Sequence, residues 1–237
     1  MDEFSAFKRQ NAAWSFHAVS RRQKNMTPRL RILCLHGLAQ NKAVLYNKTA
    51  ALRKALDDVA EFVYVNAPHS VPLPEYSTVE EREMSYNEEV SEGKMKDQTW
   101  YDGGANQSGY IDERGKCLFI YEHLLKQILC LIKGPFDGIL GFSQGACFAA
   151  LLAALLENRS YPELLSPEFN HPPLKFVVLI AGMKAVTQEA TSQLHRTKLK
   201  TPSLHICGDS DTVVSSEQMQ FLADWFDNPV VFKHPGG

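Results

Sequence analysis

Apolar and polar positions along this chain follow two periods, and each change of period marks an element. Leu30–Leu35 is a short apolar run closed by His36-Gly37, the pattern of a parallel strand buried on both faces. Residues 44–59 carry Leu45, Ala51, Leu52, Ala55, Leu56 and Val59 at helical spacing. A second strand is predicted over 62–65, ended by Asn66-Ala67-Pro68. After an irregular stretch come a helix over 116–132, a strand over 138–140 and a helix over 145–157. Phe176–Ile180 and 203–207 read as further strands, 217–226 as a helix and 230–233 as a last strand. Strands alternating with helical runs predict an α/β fold with a doubly wound, mostly parallel sheet. Right-handed crossovers then place helices on both faces.

Two stretches fall outside this rhythm. Residues 1–28 are polar and weakly patterned and read as an N-terminal extension to a domain over 29–237. Lys8, Arg9, Arg21, Arg22 and Lys24 suit a transit peptide, whereas Asp2 and Glu3 do not, and no apolar core of a secretory signal is present in it. Residues 69–115 hold Pro72, Pro74, an acidic run from Glu80 to Glu92, and Trp100-Tyr101-Asp102-Gly103-Gly104. The acidic run suits a solvated helix face. An irregular insertion of this length on a rigid scaffold is expected to shape a substrate pocket. Trp100 and Tyr101 are its candidate aromatic wall for an acyl chain, the alternative being that they pack the insertion onto the domain.

Composition narrows the picture mainly by exclusion. A length of 237 residues suits one α/β domain. With 25 Lys and Arg against 27 Asp and Glu, the net charge of −2 offers no basic face for nucleic acid or an anionic membrane. No apolar run approaches the roughly 20 residues of a membrane span. The five cysteines, at 34, 117, 130, 147 and 207, are scattered and form no C-x-x-C pair. They predict neither a disulfide framework nor a zinc site, but buried thiols in a reducing compartment. The cytoplasm is the expected location, with the nucleus and a mitochondrial leader as alternatives.

The candidate chemistry begins at Gly141-Phe142-Ser143-Gln144-Gly145, a G-x-S-x-G segment. It follows a strand pattern and opens an apolar helix of small residues, which is the context a nucleophile turn requires. Its glycines leave room for a tight strand-to-helix turn, and the helix N-terminus points its dipole at developing negative charge. Acyl transfer at Ser143 needs two backbone N–H donors for the oxyanion. Gln144, next after the nucleophile, is one candidate, and Leu38, in the loop after the first strand, is the other. His36 reads as a structural histidine bonded to backbone.

Two carboxylates, Asp209 and Asp211, follow the 203–207 strand. Asp211 is favoured as the acid that orients a histidine, and Asp209 as the cap of the turn. The chain order nucleophile, acid, histidine asks for a base after the last strand, where His234 is the one histidine present.

Together Cys34-Leu35-His36-Gly37, Gly138 to Gly145, Gly208-Asp209-Ser210-Asp211 and His234-Pro235-Gly236-Gly237 resemble the family of serine hydrolases (FSH), a group of eukaryotic esterases. The resemblance runs from about Arg29 to Gly237. It implies an α/β-hydrolase fold, hydrolysis of small-molecule carboxylic esters or thioesters, and neither metal nor cofactor. It implies Ser143 as nucleophile and Asp211 as triad acid. The family's closing motif reads His-x-Gly-Gly-His, with the second histidine catalytic. That position would be residue 238, so His234 aligns with the structural histidine and is only a substitute base. The family domain also continues into a C-terminal helix. The 237 residues are therefore expected to be a truncated and impaired form. The alternative is a non-catalytic α/β-hydrolase scaffold that binds an apolar ligand or a protein partner.

Overall fold

A computed structural model of the chain describes residues 28–70, 98–100, 135–158, 170–183, 194 and 196–236. Six strands form one parallel sheet: β1 (Leu30–Leu35), β2 (Ala60–Val65), β5 (Gly138–Phe142), β6 (Phe176–Ile180), β7 (Ser203–Gly208) and β8 (Val230–His234). Their order is β2-β1-β5-β6-β7-β8. The doubly wound parallel sheet expected from the sequence is present. The chain winds outward from β1 to β2, then from β5 to β8 in the other direction. The winding reverses between β1 and β5, and in open α/β sheets the carboxyl ends of the strands at such a point are where ligands bind.

Strand alternation divides the core in two. Leu33, Leu35, Ile139, Val177 and Leu179 pack with helix α3 (Gln144–Glu157) on one face. Ile32, Cys34 and Leu140 pack with Leu45 of α1 (Lys42–Lys48) on the other. Every residue from Gln144 to Leu156 is buried. A helix buried on all sides is a core helix, and α3 belongs to the larger of these two hydrophobic clusters. Glu157 latches its C-terminal end, accepting from the backbone N–H groups of Lys200 and Thr201 and from the Thr201 hydroxyl.

The helix expected over 44–59 is two helices, α1 and α2 (Ala50–Ala55), separated at Thr49. The Thr49 hydroxyl bonds the Leu45 carbonyl at 2.8 Å and the Tyr64 hydroxyl at 2.6 Å. Side-chain bonding to the preceding turn and to β2 draws the chain off the helical path. The second strand starts earlier than expected, at Ala60. The last helix, α4 (Ser216–Ala223), is shorter, because residues 224–226 turn to pair Phe226 with Leu199. Its start is a capping box of Ser215 and Gln218.

Of the stretch expected to be irregular over 69–115, the described residues are 69–70 and 98–100. β3 (His69–Ser70) pairs antiparallel with β4 (Gln98–Thr99). The predicted helix over 116–132, the acidic run, Tyr101 and the extension over 1–27 lie outside the described residues. Among the described residues no helix is long and apolar enough to cross a membrane. The cysteines at 34, 147 and 207 are buried. β8 lies at the sheet edge, with Val230 and Phe232 exposed.

Candidate active site

Ser143 ends β5 at φ 51° and ψ −117°, a conformation costly for any residue with a Cβ. Its N–H donates to the Ile180 carbonyl at 2.9 Å, which ties the turn to β6. Ser143 also occupies the N-cap position of α3, where a serine hydroxyl ordinarily accepts from the first turn. Here it makes no capping bond. The strained backbone turns the side chain away from its own helix and leaves the hydroxyl available.

Two glycines permit this turn. A Cβ on Gly141 would lie 2.5 Å from the Ala146 Cα, and one on Gly145 would lie 2.5 Å from the His36 carbonyl oxygen. The first allows β5 to enter the turn, and the second lets α3 start directly against the end of β1. Gly37 in turn rests on the Phe142 ring, which a Cβ there would meet at 3.0 Å. The loop that holds Leu38 therefore abuts the nucleophile turn. Among the described residues, neither the Leu38 N–H nor the Gln144 N–H has a protein acceptor. Ala39 follows Leu38 at φ 51° and Ala181 follows β6 at φ 48°, so backbone strain gathers at the same end of the sheet as Ser143.

His36 is fully buried, and both its ring nitrogens are bonded to backbone. Nδ1–H donates to the Gly37 carbonyl at 2.8 Å, and Nε2 accepts from the Ala67 N–H at 3.0 Å. This fixes the neutral tautomer, and burial lowers its pKa below the usual histidine value. His205 lies in β7 with Nε2 at 3.0 Å from the Ser203 hydroxyl, and burial pushes its pKa down to about 4. His171 accepts from the Phe136 N–H at 2.9 Å. These three histidines serve the core.

Asp211 lies in the loop after β7. Its Oδ1 accepts from the N–H groups of Val213 at 2.8 Å and Val214 at 3.0 Å. The turn cap expected of Asp209 is made by Asp211 instead, whereas Asp209 is exposed and is held by its backbone. The reason is spacing, since a carboxylate reaches N–H groups two and three residues ahead only when those amides curl back over it. The loop also runs beside the chain's last described residues. Asp209 N–H donates to the His234 carbonyl at 2.8 Å, and Ser210 N–H to the Gly236 carbonyl at 3.2 Å. His234 sits opposite Gly208, with Nδ1 accepting from the Gly236 N–H at 3.2 Å. Among the described residues its ring bonds neither Ser143 nor Asp211.

Of the two readings open for Trp100, substrate wall or packing of the insertion, its placement fits the second. Its ring has no exposed surface and stacks on Phe148 of α3, with ring centroids 5.4 Å apart. Thr99 has no signature in the sequence, yet it bonds the Gln144 side chain. Among the described residues no group of three His, Cys, Asp or Glu side chains forms a metal site.

A serine on a strained turn at the carboxyl end of a central parallel strand, beside the point where the winding reverses, defines an α/β-hydrolase. Within that class the chain belongs to the serine hydrolase (FSH1) family, whose model matches residues 26–237. It is similar to Esterase OVCA2 of Danio rerio, with 35% identity over 215 residues that cover 88% of each chain. Esterase OVCA2 of Homo sapiens is 34% identical over 209 residues, again covering 88% of each. Among solved structures, Zea mays acyl-protein thioesterase 2 superposes with a TM-score of 0.59 at 18% identity, over 90% of this chain and 87% of that one. That likeness carries the fold alone.

Proposed function

We propose that the protein hydrolyses small-molecule carboxylic esters or thioesters through an acyl-enzyme on Ser143. The observation that carries this reading is the Ser143 hydroxyl at a helix N-cap, strained at positive φ and uncommitted to its cap. Esterase activity in relatives about one-third identical supports the substrate class. In this mechanism Ser143 Oγ attacks the acyl carbon as a histidine takes its proton. The N–H groups of Leu38 and Gln144 receive the oxyanion. The histidine then protonates the leaving alcohol or thiol, and water releases the acid by the reverse route. Asp211 holds the imidazole in the required tautomer. The base is assigned to the histidine that the family's closing motif puts directly after Gly237. The bonds from Asp209 and Ser210 to His234 and Gly236 support this, because they lead the chain past the Asp211 loop. His234 is the substitute base within the 237 residues. The working compartment is the cytoplasm, and no metal or cofactor enters the scheme.

The test is reaction of the full-length protein with a fluorophosphonate. The wild type is expected to label at one residue, and Ser143→Ala to lose the label. A folded wild type that never labels, or a Ser143→Ala variant that still does, would overturn the reading.

A further inference from the structure

The Gln144 side chain is 4% exposed and is held by residues far away in sequence. Its Oε1 accepts from the Thr99 hydroxyl and from the Trp100 backbone N–H, both at 3.0 Å. Its Nε2 lies 2.7 Å from the Thr99 hydroxyl oxygen. The same dipeptide also bonds the end of β1. The Trp100 indole N–H donates to the His36 carbonyl at 2.7 Å, and its ring lies 5.0 Å from the His36 imidazole.

The His36 bond to Gly37 has a directional consequence. The Gly37 carbonyl and the Leu38 N–H belong to one planar peptide unit, and in a trans peptide they point in opposite directions. Holding the carbonyl from one side aims the N–H to the other. Of the two proposed oxyanion donors, Leu38 is thus fixed through the Gly37–His36 bond and Gln144 by its own side chain, and both His36 and the Gln144 side chain are bonded to Thr99-Trp100.

We propose that Thr99-Trp100 is a clamp that sets the separation and direction of the two oxyanion-binding peptides. Thr99, Trp100 and His36 are then positioning residues for turnover. This rests on the assignment of Leu38 and Gln144 to the oxyanion. Such donors accelerate acyl transfer only when held in place before the charge develops, because the reaction then costs no reorganisation. A displacement near 1 Å at the reacting centre costs about 100-fold in rate. A clamp formed by one fully buried indole and one amide–hydroxyl pair resists displacement of that size.

The experiment uses the full-length protein, a p-nitrophenyl ester and a trifluoromethyl ketone, which adds to the serine as a tetrahedral adduct. Trp100→Phe keeps the ring packing and removes the N–H donor. Thr99→Val keeps the shape and removes the hydroxyl. Each is expected to lower kcat roughly tenfold or more, with KM within about twofold. Affinity for the ketone is expected to fall by the same factor as kcat/KM. His36→Asn, which restores an N–H near the Nδ1 position, is expected to keep more kcat than His36→Ala.

A purely structural role predicts a lower melting temperature with wild-type kcat in the folded fraction. Folded Thr99→Val and Trp100→Phe proteins with unchanged kcat would overturn the clamp while leaving the serine mechanism standing. If Trp100→Phe does not fold, Thr99→Val decides alone. A wild type that never labels with the fluorophosphonate sinks both the clamp and the mechanism it serves.

Discussion

Gly145 lies so close to the Leu35 carbonyl oxygen that a Cβ on it would overlap that atom. The obstacles are backbone on both sides, so no side chain can swing aside. Gly145→Ala must separate α3 from β1, which disrupts the core between them. It is expected to cost about 3 kcal/mol or more, or to prevent folding. Gly236→Ala is the control. Its Cβ would meet only the His234 ring, at 3.2 Å, and its cost is expected within about 0.5 kcal/mol. Urea midpoints measure both, and equal midpoints would refute the packing argument.

Strain at Ser143 predicts a trade of stability against function. Its φ of 51° suits glycine better than any residue with a Cβ. Relief of a conformation costing about 1–3 kcal/mol exceeds the extra backbone entropy that glycine loses on folding, about 0.5–1 kcal/mol. Ser143→Gly is therefore expected to be more stable than Ser143→Ala by roughly 1 kcal/mol, with both inactive. Thermal melts of the two variants decide it. Equal stability, or a less stable glycine variant, would show that the surrounding structure bears no strain at this position.

Asp211 has two roles that one substitution separates. Asp211→Asn keeps an Oδ1 that still accepts from Val213 and Val214, but it removes the charge that the proposed histidine needs. It is expected to stay within about 1 kcal/mol of wild-type stability. Its kcat is expected to fall roughly four orders of magnitude. Asp211→Ala is expected to lose the same activity and, in addition, about 1 kcal/mol of turn stability. An Asp211→Asn enzyme with near wild-type kcat would assign the residue to the turn alone.

The features that sequence resolved here are those encoded locally. The Leu30–Leu35 strand shows as an unbroken apolar run because both its faces are covered. The nucleophile turn shows because its two glycines and its serine lie within five residues. What escaped depends on distant pairing. Thr99 bonds Gln144 across 45 positions, and Trp100 bonds His36 across 64. No periodicity within either segment encodes such a meeting. For the same reason Trp100 reads in sequence as an available aromatic, and only the position of Phe148 turns it into core. The break at Thr49 follows this logic, since a threonine inside a helical period is ordinary until the Tyr64 hydroxyl of β2 lies beside it. The two aspartates after β7 lie two positions apart in the sequence, and the cap falls to Asp211 because the next three residues fold back over it.

The buried histidines make folding sensitive to acid. His205 has a folded-state pKa of about 4 against an ordinary 6.5, and the cause is desolvation. Between those values the unfolded chain binds a proton that the folded chain excludes. The stability contribution is thus full above about pH 6.5 and falls as pH is lowered, by about 1.4 kcal/mol per pH unit, until pH 4 is reached. His36 is shifted in the same direction and adds to the slope. His205→Gln keeps a polar group within reach of the Ser203 hydroxyl but cannot titrate. Urea unfolding of wild type and variant across pH 4.5–6.5 measures the difference, expected to be close to one proton in the slope over that window. Identical slopes would mean that His205 accepts its proton in the folded state as readily as in the unfolded one. The ring would then have to be hydrated, against its 3% exposure and its edge-on contact with Phe226.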